Sequence, residues 1–498
     1  MKKIFSTFAV AILMAWPAAN AVEVANTAGN LNAAGIDPNE TTLTVTGTIN
    51  AADFDYISST LTKLTTLNLS GANITAYSGD PVLLNRASFE ANTIPDYAFA
   101  GSKLEIVTLP ASATAIAEGA FSSSKLKNIV IPASVTSIGD AAFANCDQML
   151  AISIPANVES LGKNLLRGCD ALNTFDAAAF TGNRLPDGIC ADCPSLASVT
   201  LPPVMMAEIG DEAFAGCSAL TEIQLPSLVE IIGDHAFEAS GLTRIDFDDY
   251  GNLSTIGDWA FAKCDALTTA ILPEGCNDIG EGAFFGSALE SFTAATYNTK
   301  VSDYMLTGAN KLSPEGVLPE GVTTIGRYAF AGWDQITDFT LPSTINYIDD
   351  NAFEGWTSLQ NLYANSLSTV PALGENVWEG VDQPSATLVV KEELVNDFLA
   401  AEQWQLFHID TTGVVAVTAD GNNAANVKAR FEGLTLVIEA QSDIATVGVF
   451  DTEGRKYALA QPAAAAYRLD TSEWSSPIYI IAVRLADGSE ANFKLARR

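Results

Sequence analysis

Cys190-Ala-Asp-Cys193 has the C-x-x-C spacing with which two thiols exchange a disulfide. It is the most explicit chemical motif in the chain. Only two histidines are present, His235 and His408. That leaves little for general acid–base work or a zinc site, both of which lean on imidazole. Carboxylates are abundant: 59 Asp and Glu against 25 Lys and Arg give a formal net charge of −34. Paired carboxylates could serve a hydrolase, and a line of them could bind calcium, which takes several oxygens. No single pair stands out. The charge argues against nucleic acid or an anionic membrane as partner, because both need Lys and Arg to neutralise phosphate. It fits solubility, cation binding or a basic partner.

The elements that position these residues repeat. Thirteen segments align on one slot: Phe99, Phe121, Phe143, Leu166, Cys190, Phe214, Phe237, Phe261, Phe284, Leu306, Phe330, Phe353 and Trp378. Their spacing is 22 to 25 residues. A fixed period of this size predicts a solenoid, in which each repeat buries its apolar face only by stacking on neighbours. Five residues before the slot stands an aliphatic, from Ile94, Ile116 and Ile138 to Ile209 and Leu373. After the slot comes a strand-like stretch such as Leu220-Thr-Glu-Ile223-Gln-Leu225-Pro226, with Ile223 and Leu225 facing in. Proline lacks a donor and ends such strands, as at Pro110, Pro132, Pro155, Pro202, Pro273 and Pro342. Strands about 4.8 Å apart would build a parallel sheet on one face. The D-x-A-F segment would form a short helical turn on the other.

Three columns bear on function. Three residues before the slot, eleven of thirteen copies are acidic, including Asp140, Asp211, Asp234, Asp258 and Asp350; Lys163 and Arg327 depart. Asp at the start of a short helical turn reads as an N-cap, with a calcium array as the alternative. The next residue varies from copy to copy, which predicts a solvent-facing slot. Its aromatics and histidine, Tyr97, His235, Trp259, Tyr304 and Tyr328, are the candidate ligand contacts. Three residues after the slot stand Cys146, Cys169, Cys193, Cys217 and Cys264, with Ser102, Ser124, Ser240, Ser287, Trp333 and Trp356 elsewhere. In this register Cys190 merely fills the Phe slot and Cys193 the Cys slot. In-register neighbours sit too far apart for a disulfide, so buried free thiols are expected rather than a redox centre. The outward strand column, from Thr108, Val130 and Ser153 to Thr340 and Tyr363, is a mildly polar platform.

Leu64-Thr-Thr-Leu67-Asn-Leu69-Ser-Gly-Ala-Asn73-Ile74 follows the leucine-rich consensus, and the main array is a variant of it with I-G-D-x-A-F-x-x-C in each repeat. This resembles the BspA-like leucine-rich repeat family of bacterial surface proteins. The resemblance implies an adhesin that binds surface macromolecules. Thr42–Gly47 as strand and Ala51–Thr60 as helix would cap the front of the array. At its end, a helix from about Glu392 to Ala401, followed by Trp404 and Phe407, would cap the back.

The chain starts with Lys2 and Lys3, an apolar run from Ile4 to Trp16 and an A-x-A site at Ala19-Asn20-Ala21. This is the layout of a secretory signal peptide. From about Thr411 the period is lost. Short strands and turns there predict a small all-β sandwich. Val449-Phe-Asp451-Thr-Glu-Gly454-Arg455, Tyr479-Ile-Ile-Ala-Val483, Asp487-Gly488 and the basic Lys494, Arg497 and Arg498 resemble the C-terminal sorting domain of type IX secretion cargo. Ser475-Ser-Pro477 stands where that family carries glycine.

The expected organisation is therefore a signal peptide (1–21), an N-terminal cap with the first leucine-rich repeat (22–91), the solenoid (92–390), a capping helix (391–410) and a β-sandwich (411–498). The fold class is an α/β leucine-rich repeat solenoid followed by a small all-β domain. The function that fits is adhesion or binding of an extracellular protein or glycan by a secreted or surface-displayed chain. No cofactor, catalytic set or membrane insertion of the mature chain is expected. An extracellular carboxylate-dependent hydrolase and a purely structural surface protein are the alternatives.

Overall fold

The computed structural model describes residues 21–496 apart from 204–205, 248–250, 274, 295–298, 314–317, 412–426, 433–434, 452–455, 473, 475–477 and 487–489. The signal-peptide reading falls outside these residues, as do Gly454, Asp487 and Arg497 of the sorting-domain resemblance. The chain divides into two compact units, Met1–Ile336 with Thr344–Ser358 and Pro371–Val381, and Thr337–Ser343 with Leu359–Val370 and Asp382–Arg498.

The first unit is a parallel-sheet solenoid. It opens with strands Val22–Asn26 and Thr42–Ile49, helix Ala51–Thr60 and strand Thr66–Ile74. Asn50 and Asp53 close a capping box at the helix start. The buried Asp53 carboxylate also accepts the N–H groups of Gly29 at 2.7 Å and Leu31 at 2.9 Å. One aspartate thus ties the entry loop to the cap helix.

From here each repeat lays down two parallel strands. Three-residue strands such as Ile106–Thr108, Asn128–Val130 and Ala151–Ser153 pair in register and end just before the prolines. Two-residue strands such as Thr93–Ile94, Ala115–Ile116 and Ser137–Ile138 form a second ladder. These hold the aliphatic column inward: Ile94, Ile116, Ile138, Ile209 and Ile232 are all buried. Between the two ladders runs the core. Its spine is the Phe slot, with Phe214–Phe237, Phe237–Phe261 and Phe261–Phe284 stacked at 5.3–5.5 Å between centroids.

The expected single long sheet is instead interrupted. The first ladder runs from Val22–Asn26 to Ser198–Thr200 and restarts at Arg244–Asp246. Thr221–Leu225, read above as a strand, makes none; Leu225 is buried and Ile223 only half-buried.

The D-x-A-F segment differs from a helix as well. Its i→i−3 bonds, such as Ala98 N to Pro95 O and Ala100 N to Tyr97 O, are helical in type. Its alternate N–H groups instead reach the next repeat: Tyr97 N to Glu118 O, Phe99 N to Ala120 O and Gly101 N to Ser122 O. Left-handed residues produce this alternation. The variable slot lies at φ 51–61° in all thirteen copies, and the residue four further on is also at positive φ in all thirteen.

The second unit holds the parallel strands Asp338–Thr340, Asn361–Tyr363, Thr387–Val389 and His408–Asp410, paired in that order. Helix Val395–Ala400 lies between the last two, and Trp404 and Phe407 are buried. The rest is an antiparallel sheet organised on the long strand Thr435–Asp451. That strand pairs with Val427–Glu432, Lys456–Ala460, Ala464–Asp470 and Ile478–Leu485. A register shift between Glu439 and Ile444 lets it serve neighbours along both halves. Val449, Tyr479, Ile481 and Val483, which carry part of the sorting-domain resemblance, are core residues of this sheet.

Candidate functional site

The acidic column does not cap its own turn. Asp140, Asp187, Asp211, Asp234, Asp258, Asp303 and Asp350 each accept the N–H of the counterpart one repeat later, as in Lys163 N on Asp140 Oδ1 at 2.8 Å, Asp258 N on Asp234 at 2.8 Å, Glu281 N on Asp258 at 2.7 Å and Glu375 N on Asp350 at 2.7 Å. The N-cap expectation is corrected on this point. Stacking brings the next repeat's backbone against the Asp, so the side chain links repeats. The glycine of I-G-D makes the approach possible. A Cβ on Gly257 would come within 2.4 Å of Asp234 Oδ1 and 2.6 Å of Asp234 N. Among the described residues, no three His, Cys, Asp or Glu are grouped to hold a metal ion.

The Cys and Trp members of the third column share one physical role. Cys146, Cys169, Cys193, Cys217 and Cys264 each donate S–H to the carbonyl of the preceding repeat's Phe-slot residue at 3.1–3.2 Å. Trp333 and Trp356 do the same through Nε1, at 2.9 Å to Leu306 O and 2.7 Å to Phe330 O. The serines differ: Ser124 and Ser240 pair with the Sγ of Cys146 and Cys264 one repeat later, both at 3.4 Å, and the buried hydroxyls of Ser102 and Ser287 have no hydrogen-bond partner among the described residues. All seven cysteines are free and buried. Burial pushes the Cys264 thiol up to about 11 and Cys193 and Cys276 up to about 12. Thiols held protonated in this way are poor nucleophiles, and Cys190 lies well above its ordinary value for the same reason.

The five candidate contacts share the left-handed slot beside the acidic column. For a side chain as bulky as Trp or Tyr such a φ is an outlier. The structure brings three of them together. Tyr304 and Tyr328 stack at 5.0 Å and 12°. Trp259 lies 6.1 Å from Tyr304 across the intervening Gly282, and 5.3 Å from Phe285, which sequence reasoning missed. The indole lies flat on Gly282. A Cβ there would meet Trp259 Cε3 at 2.5 Å and Cδ2 and Cζ3 at 2.7 Å.

Tyr97 stands apart in the first copy, 38% exposed, with its ring over Gly119 in the same manner. Its hydroxyl donates to Glu118 Oε1 at 2.5 Å, and that bond, with some burial, raises its pKa. His235 turns to Glu238, Nδ1 to Oε2 at 2.7 Å, rather than to the rings. Burial pushes the Glu238 carboxyl up, but Lys263 and His235 outweigh it and hold it below the usual carboxylate range.

A family model for the BspA type leucine rich repeat region matches residues 86–182, 183–313 and 314–385. No curated protein matches the chain. Among solved structures, a leucine-rich repeat protein from Bacteroides ovatus is similar at 23% identity, over 74% of this chain and 87% of that one, with a TM-score of 0.58. A leucine rich cell surface protein from Faecalibacterium prausnitzii shares 26% identity over 57% and 86% of the two chains, at a TM-score of 0.38. The first of these likenesses is one of fold. The family model spans more than half of the sequence through the repeats whose columns are described above, and the chain belongs to the BspA type leucine rich repeat family.

Proposed function

We propose that this chain is an exported, surface-displayed binding protein that engages an extracellular protein or glycan through the turn face of its solenoid. One observation carries the reading. The left-handed slot is filled by Gly or Asn in six of thirteen copies, the residues that adopt this conformation most easily. Trp259, Tyr304 and Tyr328 occupy it at a cost of about 1–2 kcal/mol each. Side chains kept at strained positions point to a use for the side chain. Half-buried aromatics gathered on one face are also the residue types that dominate binding energy at interfaces.

The test uses the mature chain against extracellular matrix proteins and a glycan array. Replacing Trp259, Tyr304 and Tyr328 together by Gly should lower affinity by about tenfold or more with the fold retained. Unchanged affinity would sink the aromatic column as the contact. The signal peptide at 1–21 and the sorting role of the C-terminal sheet belong to the same proposal. Removing residues 433–498 should trap the chain behind the outer membrane, and continued surface display would refute that role.

A further inference from the structure

Trp259 is half-buried, and its surroundings are chemically specific. One face of its indole rests on Gly282, where the absence of a Cβ admits the ring. Phe285 and Tyr304 flank it at 5.3 and 6.1 Å and fix its tilt. Acceptors occupy the adjoining column. Asp258 is exposed and uses Oδ1 for the N–H of Glu281. Glu281 stands in the adjacent repeat and Asp303 in the one after. Asp303 is held by Lys300 at 2.8 Å and Arg327 at 3.0 Å.

The backbone here offers nothing to an extended peptide. The N–H groups of Trp259, Phe261 and Lys263 already bond the carbonyls of Glu281, Ala283 and Phe285, so strand addition has no free edge to use. A ligand here is read by an aromatic side chain beside a column of acceptors. A pyranose matches this: its C–H face is apolar and its equatorial hydroxyls donate. The acidic column disfavours an anionic sugar, since like charges brought together at an interface cost free energy.

We propose that Trp259 is a stacking platform for a neutral pyranose glycan, with Asp258 and Glu281 accepting from its hydroxyls. This rests on the binding reading above and narrows its ligand class. The mature chain is titrated with dextran, mannan and xyloglucan and screened on an array of neutral glycans, with heparin and poly-lysine for comparison. At least one neutral glycan should bind saturably, and heparin should not. Trp259→Gly should weaken that binding by about tenfold while melting near the wild-type temperature, because Gly suits the left-handed slot. Trp259→Phe, which keeps a ring, should retain most of the affinity.

Loss of all neutral-glycan binding across the array would overturn the inference, as would wild-type affinity in Trp259→Gly. Binding of poly-lysine alone would mean that the face reads cations instead. A matrix protein that binds through the aromatic column while every glycan fails would leave the binding function standing and sink the glycan. Failure of every ligand would sink both.

Discussion

Gly282→Ala isolates the contact on which the aromatic cluster rests. Alanine at φ 59° pays a left-handed penalty of about 1 kcal/mol, partly offset by the smaller entropy of its unfolded state. The new methyl would also sit 2.5–2.7 Å from three indole atoms, where ordinary carbon contacts lie near 3.5–4.0 Å. The indole must lift by about 1 Å, and a gap of that size forfeits a quarter to a half of each dispersion contact. Together the substitution should cost about 2 kcal/mol. In a Trp259→Gly background the obstruction is gone and only the backbone penalty remains, about 1 kcal/mol or less. The two substitutions should therefore couple by about 1 kcal/mol in a double-mutant cycle, read from denaturant midpoints of the transition that melts this part of the array. Costs that add to within about 0.5 kcal/mol would show that the ring does not rest on Gly282, and the platform argument would fail with it.

Three further outcomes test the columns. Asp258→Ala should cost about 1 kcal/mol, as loss of a capping carboxylate does, while Asp258→Asn keeps the acceptor for Glu281 N–H and should cost much less; equal losses would contradict the inter-repeat ladder. At Asp303 burial raises the carboxyl's pKa, but Lys300 and Arg327 outweigh it and leave the folded value depressed. Its stabilisation is therefore complete above the unfolded value of about 4 and lost as pH falls through the folded one, so Asp303→Asn should melt lower than wild type at pH 7 and converge with it near pH 2; a constant gap across that range would refute the ion-pair account. Native protein at pH 8 should show almost no reaction with a thiol reagent and about seven thiols once unfolded, so rapid native labelling would contradict the donor column.

Repetition made the fold legible. Thirteen copies sample each column, so the inward Ile94 and Phe99 series and the proline stops could be read without a structure. What escaped was what depends on the neighbour across the stack. Asp211 was assigned to its own turn because that N–H is near in sequence, whereas the Asp234 N–H one repeat later is near in space. Cys146 and Trp333 look unrelated by size and polarity; their common property is a single donor aimed at the previous repeat. Both left-handed columns carried a signal that could have exposed them. Gly119, Asn164, Gly188, Gly282 and Asn351 mark the first, and Asn145, Gly168, Gly216 and Gly286 the second. Thr221–Leu225 failed for a different reason. Its alternation suits a strand, but alternation fixes which way side chains face and not whether a ladder partner is reached.

The left-handed slot also explains how a repeat fold leaves room for function. Most columns of the array are constrained twice, by backbone and by side chain. Phe237 must stack between Phe214 and Phe261, Cys264 must donate to Phe237 O, and Asp258 must accept from Glu281. The slot that holds Trp259 is constrained only in its backbone: the N–H serves the next repeat, while the side chain points away from the core. Any residue that tolerates φ near +55° satisfies the fold there, and Gly or Asn does so at least cost. A tryptophan or tyrosine therefore gains nothing from the backbone and must be retained by what its ring touches. Inside the chain those contacts are Gly282, Phe285 and Tyr304, with Gly282 under one face of the indole. The other face is the part of the side chain that folding does not account for.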